Sequence, residues 1–155
     1  MYKKTLLSCV AGALLATGGI AVAKESPYSD PEPAIEYRQK SFSLIAANFG
    51  DLVAMLKGKK EYDAAVAQRR ADAVAALSHL PLEAFAVKGS NEGDTKAKPA
   101  IWSSWSDFEE KMAALQSAST ELAKVAGSGD MDAFKTAIAA TGKTCKGCHD
   151  DYKNK

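Results

Sequence analysis

Apolar residues recur along this chain at alternating steps of three and four, the spacing that lines one face of a helix. Four such stripes stand out. The first runs Ile35, Arg38, Phe42, Ile45, Phe49, Leu52, Leu56, with Asp30 as the expected N-cap, Pro31 at the first helical position and Gly58 at the stop. The second starts near Asp63 and carries Val66, Ala73, Leu77 and Leu80 inward; Pro81 bends or ends it, and Leu82 and Phe85 follow. The third starts at Ser103 or Ser104, where Ser104 and Asp107 have capping-box spacing, and runs Trp105, Phe108, Met112, Leu115, Ser119, Leu122, Ala126. Gly127-Ser128-Gly129 ends it, Asp130 caps the fourth, and that stripe reads Met131, Phe134, Ile138, Thr141, Cys145, Cys148, Tyr152. No alternating β-branched run interrupts them. The pattern predicts an all-α fold, an antiparallel up-down-up-down four-helix bundle. Its one long polar connection is residues 88–99.

The fourth stripe carries the chemistry. Cys145-Lys146-Gly147-Cys148-His149 has the C-x-x-C-H form of a c-type haem attachment site. Two thiols on one helical turn can form thioethers to the two vinyl groups of one porphyrin. The next histidine then donates an imidazole nitrogen to the iron, and Gly147 leaves room for close approach. A redox dithiol would follow a strand, and none is predicted. A zinc site lacks a fourth ligand of the usual kind, since the other histidine is His79 and the other cysteine is Cys9. A plain disulfide leaves the adjacent histidine unexplained. The expected cofactor is therefore one covalently bound haem c. Because Cys145 and Cys148 continue an apolar seam, it should enter the bundle interior. Arg38, Phe42, Phe85, Trp105 and Phe108 are the expected neighbours. Met55 and Met131 belong at the far end, and Met112 lies nearer but deep.

Composition adds compartment and excludes partners. Lys3 and Lys4, the apolar stretch 6–20 and Ala21-Val22-Ala23 read as a secretory signal peptide cleaved after Ala23. The domain is then 24–155, exported to the periplasm, with no membrane attachment once the leader is gone. Removing Lys3 and Lys4 from the 20 basic residues leaves 18 against 19 acidic ones, a net charge of about −1. No basic run suggests nucleic acid.

A C-terminal C-x-x-C-H on a four-helix bundle resembles the cytochrome c′ family. Residues 33–42, Phe49-Gly50, Lys57-Gly58 with Tyr62-Asp63-Ala64-Ala65, Ile101-Trp102 and Cys145 to Tyr152 carry the likeness. The resemblance implies that Cys145 and Cys148 hold the haem and that His149 is its single axial protein ligand. It pairs Arg38 and Gln39 with the haem propionates, and Asp94, or Thr95 beside it, with a polar contact at the haem edge. A guanidinium on an apolar seam calls independently for an anion. Phe42 falls at the distal wall, where a phenyl ring cannot ligate iron. That implies five-coordinate iron, nitric oxide or carbon monoxide as ligand, and capacity for electron transfer. A dedicated low-spin electron carrier is the alternative. Lys153 stands where many members have arginine, a point charge in place of a planar fork. A peroxidase would need a distal acid or base, and none is expected beside Phe42, so no catalysis is assigned. Family members are commonly dimers through their first two helices; a homodimer and the redox partner stay open, with Leu44 and Val87 as the exposed apolar positions considered.

Overall fold

A computed structural model describes residues 30–155; the expected leader, with Cys9, lies outside the described residues. Six helical segments follow in order: α1 Pro31–Leu56, α2 Ala64–Leu77, α3 Pro81–Phe85, α4 Ala100–Ser103, α5 Trp105–Val125 and α6 Met131–Tyr152. The four long ones form the four arms of the bundle, with α3 and α4 as short extensions of the second and third. Among the described residues no strand occurs, and one isolated bridge joins Ala97 to Lys153.

Two buried clusters define the ends of the bundle and its antiparallel sense. One collects Leu52 and Met55 from the end of α1, Ala67 and Ala71 from the start of α2, Leu122 from the end of α5 with Ala126 just past it, and Phe134 and Ile138 from the start of α6. The other collects Phe85 from α3, Ile101 from α4, Phe108 and Met112 from the start of α5, and Tyr152 from the end of α6. Phe42 and Cys148 pack against it. A stripe that meets the starts of its neighbours with its own end belongs to an up-down-up-down bundle.

Local signals set the boundaries. Asp63 accepts a 2.8 Å hydrogen bond from the Val66 amide, and Asp130 accepts from the Asp132 and Ala133 amides, so α2 and α6 are capped as expected. Gly58, with φ +66°, turns the chain out of α1. At Gly127 a Cβ would stand 3.1 Å from Gln68 Cβ and 3.3 Å from the Ala64 carbonyl oxygen, so glycine eases the close approach of this turn to α2.

Several expectations need correction. Asp30 precedes α1 but makes no side-chain cap, and Pro31 alone marks the start. The Ser104–Asp107 capping box does not form. Asp107 instead accepts from the Tyr152 hydroxyl, and a separate turn, α4, precedes α5. On α2 the fully buried stripe is Ala67, Ala71 and Val74, one residue round from the expected Val66, Ala73 and Leu77. Alanine lets α1 and α5 come close, and the larger side chains lie half-buried at the margins. Met131 is 40% exposed, because it is the first residue of α6 and projects past the core. Val87 is buried against Ala34 and Ala84, and only Leu44 is exposed of that pair.

Candidate haem site

The last turns of α6 bring the key residues to one end of the bundle. Cys145 and Cys148 are not joined in a disulfide, and both are half-buried. Cys148 packs on the cluster of Phe85, Phe108, Met112 and Tyr152, with Phe42, Leu82, Trp102 and Trp105 beside it. Thus every neighbour expected from the sequence, Arg38 apart, lies in this one cluster, and Arg38 joins it through a ring contact. Aromatic contacts bind it together. Phe85 packs edge-on to Phe108 at 4.8 Å between centroids, Phe108 edge-on to Tyr152 at 5.4 Å, and Phe42 stands 6.3 Å from Phe85.

Burial decides the protonation states. It pushes the Cys145 thiol up, and the Cys148 thiol up to about 11, partly offset there by Lys111. Partial desolvation of the ring, ahead of the Lys153 charge, also lowers the His149 imidazole, although the residue as a whole is exposed. Before haem attachment both thiols would therefore be held protonated at neutral pH, and the imidazole is held toward its neutral form, the one that ligates metals. His149 is exposed and borders a cleft of about 490 Å³ with Lys98, Asp150, Lys153 and Asn154. The end of α6 is tied down around it: the Lys98 amide donates to the Tyr152 carbonyl at 2.9 Å, and the Asn154 amide to Lys96 at 2.8 Å.

Across the cluster, Arg38 is 1% exposed. Its guanidinium donates from Nη1 to Ser90 Oγ at 3.1 Å, and from Nη2 to the Ser90 carbonyl at 2.6 Å and Thr95 Oγ1 at 3.0 Å. It also lies over the Phe85 ring, 4.3 Å from the centroid. Burial brings its pKa down to about 10, so it remains a cation at neutral pH. All these partners are neutral. Gln39, next along α1, is exposed and donates from Nε2 to the Asp94 carbonyl at 2.8 Å. Asp94 therefore contributes its backbone, while the hydroxyl that reaches Arg38 belongs to Thr95.

This donor set fits a haem c. Two thiols and an imidazole occupy adjacent positions on one helix end, beside an apolar aromatic wall. A buried cation with only neutral partners suits an anionic substituent. A Cβ at Gly147 would meet no protein atom within 4 Å, so protein packing does not demand the glycine. His79 is exposed and stands apart from the cluster. Met55 packs at the other end, whereas Met112 is fully buried in the cluster that Cys148 joins.

The family model for cytochrome c′ matches residues 33–153. The chain belongs to the cytochrome c′ family. It is 43% identical to cytochrome c′ of Rubrivivax gelatinosus over 129 residues, 83% of this chain and 99% of that protein. The solved cytochrome c prime of Shewanella frigidimarina is 55% identical, with a TM-score of 0.79 over 83% of this chain and 99% of that one. Cytochrome c prime from Alcaligenes xylosoxidans, in a ferrous variant with bound NO, is 38% identical with a TM-score of 0.76, covering 83% and 98%. A second variant of that protein has been solved with carbon monoxide bound. Like the rest of the cytochrome c′ family, this protein is a haem protein with one covalently attached haem c.

The sequence did not single out Ser90. It is a small polar residue in a stretch of glycine, asparagine and serine, and nothing in that composition marks it as fully buried. Its only sequence signal is its place beside Gly89 (φ +83°), which turns the loop back toward α1.

Proposed function

We propose that this is a periplasmic cytochrome c′ whose iron takes His149 as its one protein ligand and binds nitric oxide or carbon monoxide on the opposite, apolar face. Cys145 and Cys148 hold the haem through thioethers. Arg38 and Gln39 take its propionates, and Phe42 walls the open side. When bound, the haem supplies an iron with a coordination position free for a diatomic ligand. The residues do the rest. The neutral imidazole offers its lone pair, the aromatic cluster excludes water, and Phe42 must swing aside to admit a ligand.

The observation that carries this reading is the half-buried position of Phe42 on the Phe85 ring, in the cluster that also seats Cys148. A side chain that cannot ligate iron stands there. Two nearby donors are already used: Trp102 Nε1 on the Phe85 carbonyl at 2.9 Å and the Tyr152 hydroxyl on Asp107. An apolar wall of this kind would stabilise dioxygen poorly, whereas nitric oxide needs no hydrogen-bond donor. It also provides no acid or base for peroxide cleavage, so we assign gas binding and electron transfer, and no enzymatic reaction.

Export is supported by Lys3, Lys4 and the Ala21-Val22-Ala23 pattern. Among the described residues no helix is long and apolar enough to cross a membrane.

Met112 supports a second reading, since its thioether lies in the same cluster as Cys148. As a sixth ligand it would make a low-spin electron carrier. Optical and EPR spectra of the ferric and ferrous protein, with and without nitric oxide, separate the two. High-spin spectra that change on adding nitric oxide are expected. Low-spin spectra in both oxidation states would replace the first reading with the Met112 one.

A further inference from the structure

A buried guanidinium has two needs: partners for its N–H groups and compensation for its charge. At Arg38 the chain meets the first with an ordered set of acceptors. The Ser90 hydroxyl donates to the Phe85 carbonyl at 3.4 Å and accepts from Arg38 Nη1 at 3.1 Å. That same Phe85 carbonyl accepts from Trp102 Nε1 at 2.9 Å. The Thr95 hydroxyl oxygen accepts from Arg38 Nη2 at 3.0 Å and from the Ala97 amide at 3.2 Å. The Phe85 ring covers the guanidinium face. Four segments thus converge on one side chain: α1, the end of α3, the 88–99 loop and α4. Ser90 is fully buried, so water cannot stand in for its hydroxyl.

We propose that Ser90 and Thr95 are positioning residues for Arg38, and that through it they set the reduction potential of the haem. This rests on the reading of Arg38 as the partner of a haem propionate. Reduction adds one electron and hence one unit of negative charge to the haem. A cation fixed nearby favours the reduced state, and it does so more strongly in a low-dielectric setting than in water. A guanidinium freed from its hydroxyl partners would swing toward solvent and lose much of that influence. The Ser90 carbonyl persists in any side-chain variant, so the loss is partial.

The test is the reduction potential of the holo-protein by spectroelectrochemistry, with the melting temperature recorded alongside. Arg38→Gln removes the charge. Ser90→Ala and Thr95→Val remove the hydroxyls separately and together, and Thr95→Ser keeps one. We expect Arg38→Gln to lower the potential most. The double hydroxyl variant should lower the equilibrium constant for reduction about tenfold, or about 59 mV for a one-electron couple. Each single variant should fall between, and Thr95→Ser should stay at the parent value. If the hydroxyl variants melt earlier but keep the parent potential while Arg38→Gln shifts it, Ser90 and Thr95 are merely structural and the proposal fails. If Arg38→Gln itself leaves the potential unchanged, the propionate reading fails first.

Discussion

The hydroxyl of Tyr152 donates to a carboxylate oxygen of Asp107 at 2.5 Å, joining the last turn of α6 to the first turn of α5. Tyr152 lies four residues past Cys148, and its ring packs edge-on against Phe108. Lys111 closes the group, 3.0 Å from Asp151 and 3.8 Å from Asp107. The helix end that carries the cysteines and His149 is therefore clamped to α5 by an aromatic contact, a charge-assisted hydrogen bond and an ion pair.

Tyr152→Phe keeps the ring and removes the clamp's hydrogen bond, so the melting temperature should drop by a few degrees. The pH dependence has a definite sign. The Asp107 hydrogen bond, then burial, raise the Tyr152 pKa from 10.0 to about 12 in the fold. A folded pKa above the unfolded one means stability that is complete below pH 10 and lost as the pH rises toward about 12. The melting-temperature gap between the parent and Tyr152→Phe should therefore close across that window. A constant gap would show that the phenol proton is not what the clamp depends on.

Asp51 should show the opposite pH sign. It lies near the end of α1 and pairs with Lys60 in the turn and with Arg70 Nε of α2 at 3.0 Å. The Lys60 hydrogen bond first, and Arg70 after it, hold its carboxyl below the ordinary value of 3.8. Its contribution is present above that value and lost as the pH falls through the depressed folded pKa. Asp51→Asn should melt earlier than the parent at pH 7, and the difference should shrink in acid. Thermal melts across that acid range read it directly.

Most of the fold was legible because the stripes on α1, α5 and α6 are regular, and their large residues can pack only inward. Phe108, Met112, Leu122, Phe134 and Ile138 are buried as the spacing predicts. The α2 stripe lies one position round from the hydrophobic pattern because its burial falls mostly on alanines, which that pattern ranks below Val66 and Leu77. The attachment motif was legible as well, since C-x-x-C-H compresses three groups into five residues. The Arg38 clasp was only half visible. Its charge on an apolar seam announces a partner, but Ser90 lies 52 residues away in an irregular loop. Only the folded chain brings the two together. The Tyr152–Asp107 bond was hidden for a related reason: Asp107 sits where a capping box would use it, and a tertiary partner takes it instead.

The two buried clusters are distinct enough to be perturbed separately. Phe134 is fully buried in the cluster far from Cys148, against Leu52, Leu122 and the Tyr62 ring at 5.7 Å. Phe134→Ala should cost about 3–5 kcal/mol of stability through lost burial and the cavity left behind. The haem-end cluster keeps all its own members, so the optical and EPR spectra should match the parent below the lowered melting transition. A changed spin state in the folded variant would show that the two ends are mechanically coupled, contrary to the packing.

Phe42 offers the most direct test of the haem face. It is half-buried and touches Phe85, and on the function proposed above its ring takes up space that a ligand must share. Phe42→Ala removes that obstruction, and the association rates of carbon monoxide and nitric oxide should rise by an order of magnitude or more, read by stopped-flow absorbance. Phe42→Leu keeps apolar bulk and should fall between the two. Phe42→Met places a thioether where the phenyl was, and its sulfur can ligate iron. That variant should turn low-spin and six-coordinate, with carbon monoxide binding slowed by the need to displace the sulfur. Unchanged rates in Phe42→Ala, together with a high-spin Phe42→Met, would mean that Phe42 is a core residue away from the ligand's path. The approach would then have to run along another wall of the cluster, with Trp105 and Leu82 the next side chains to substitute.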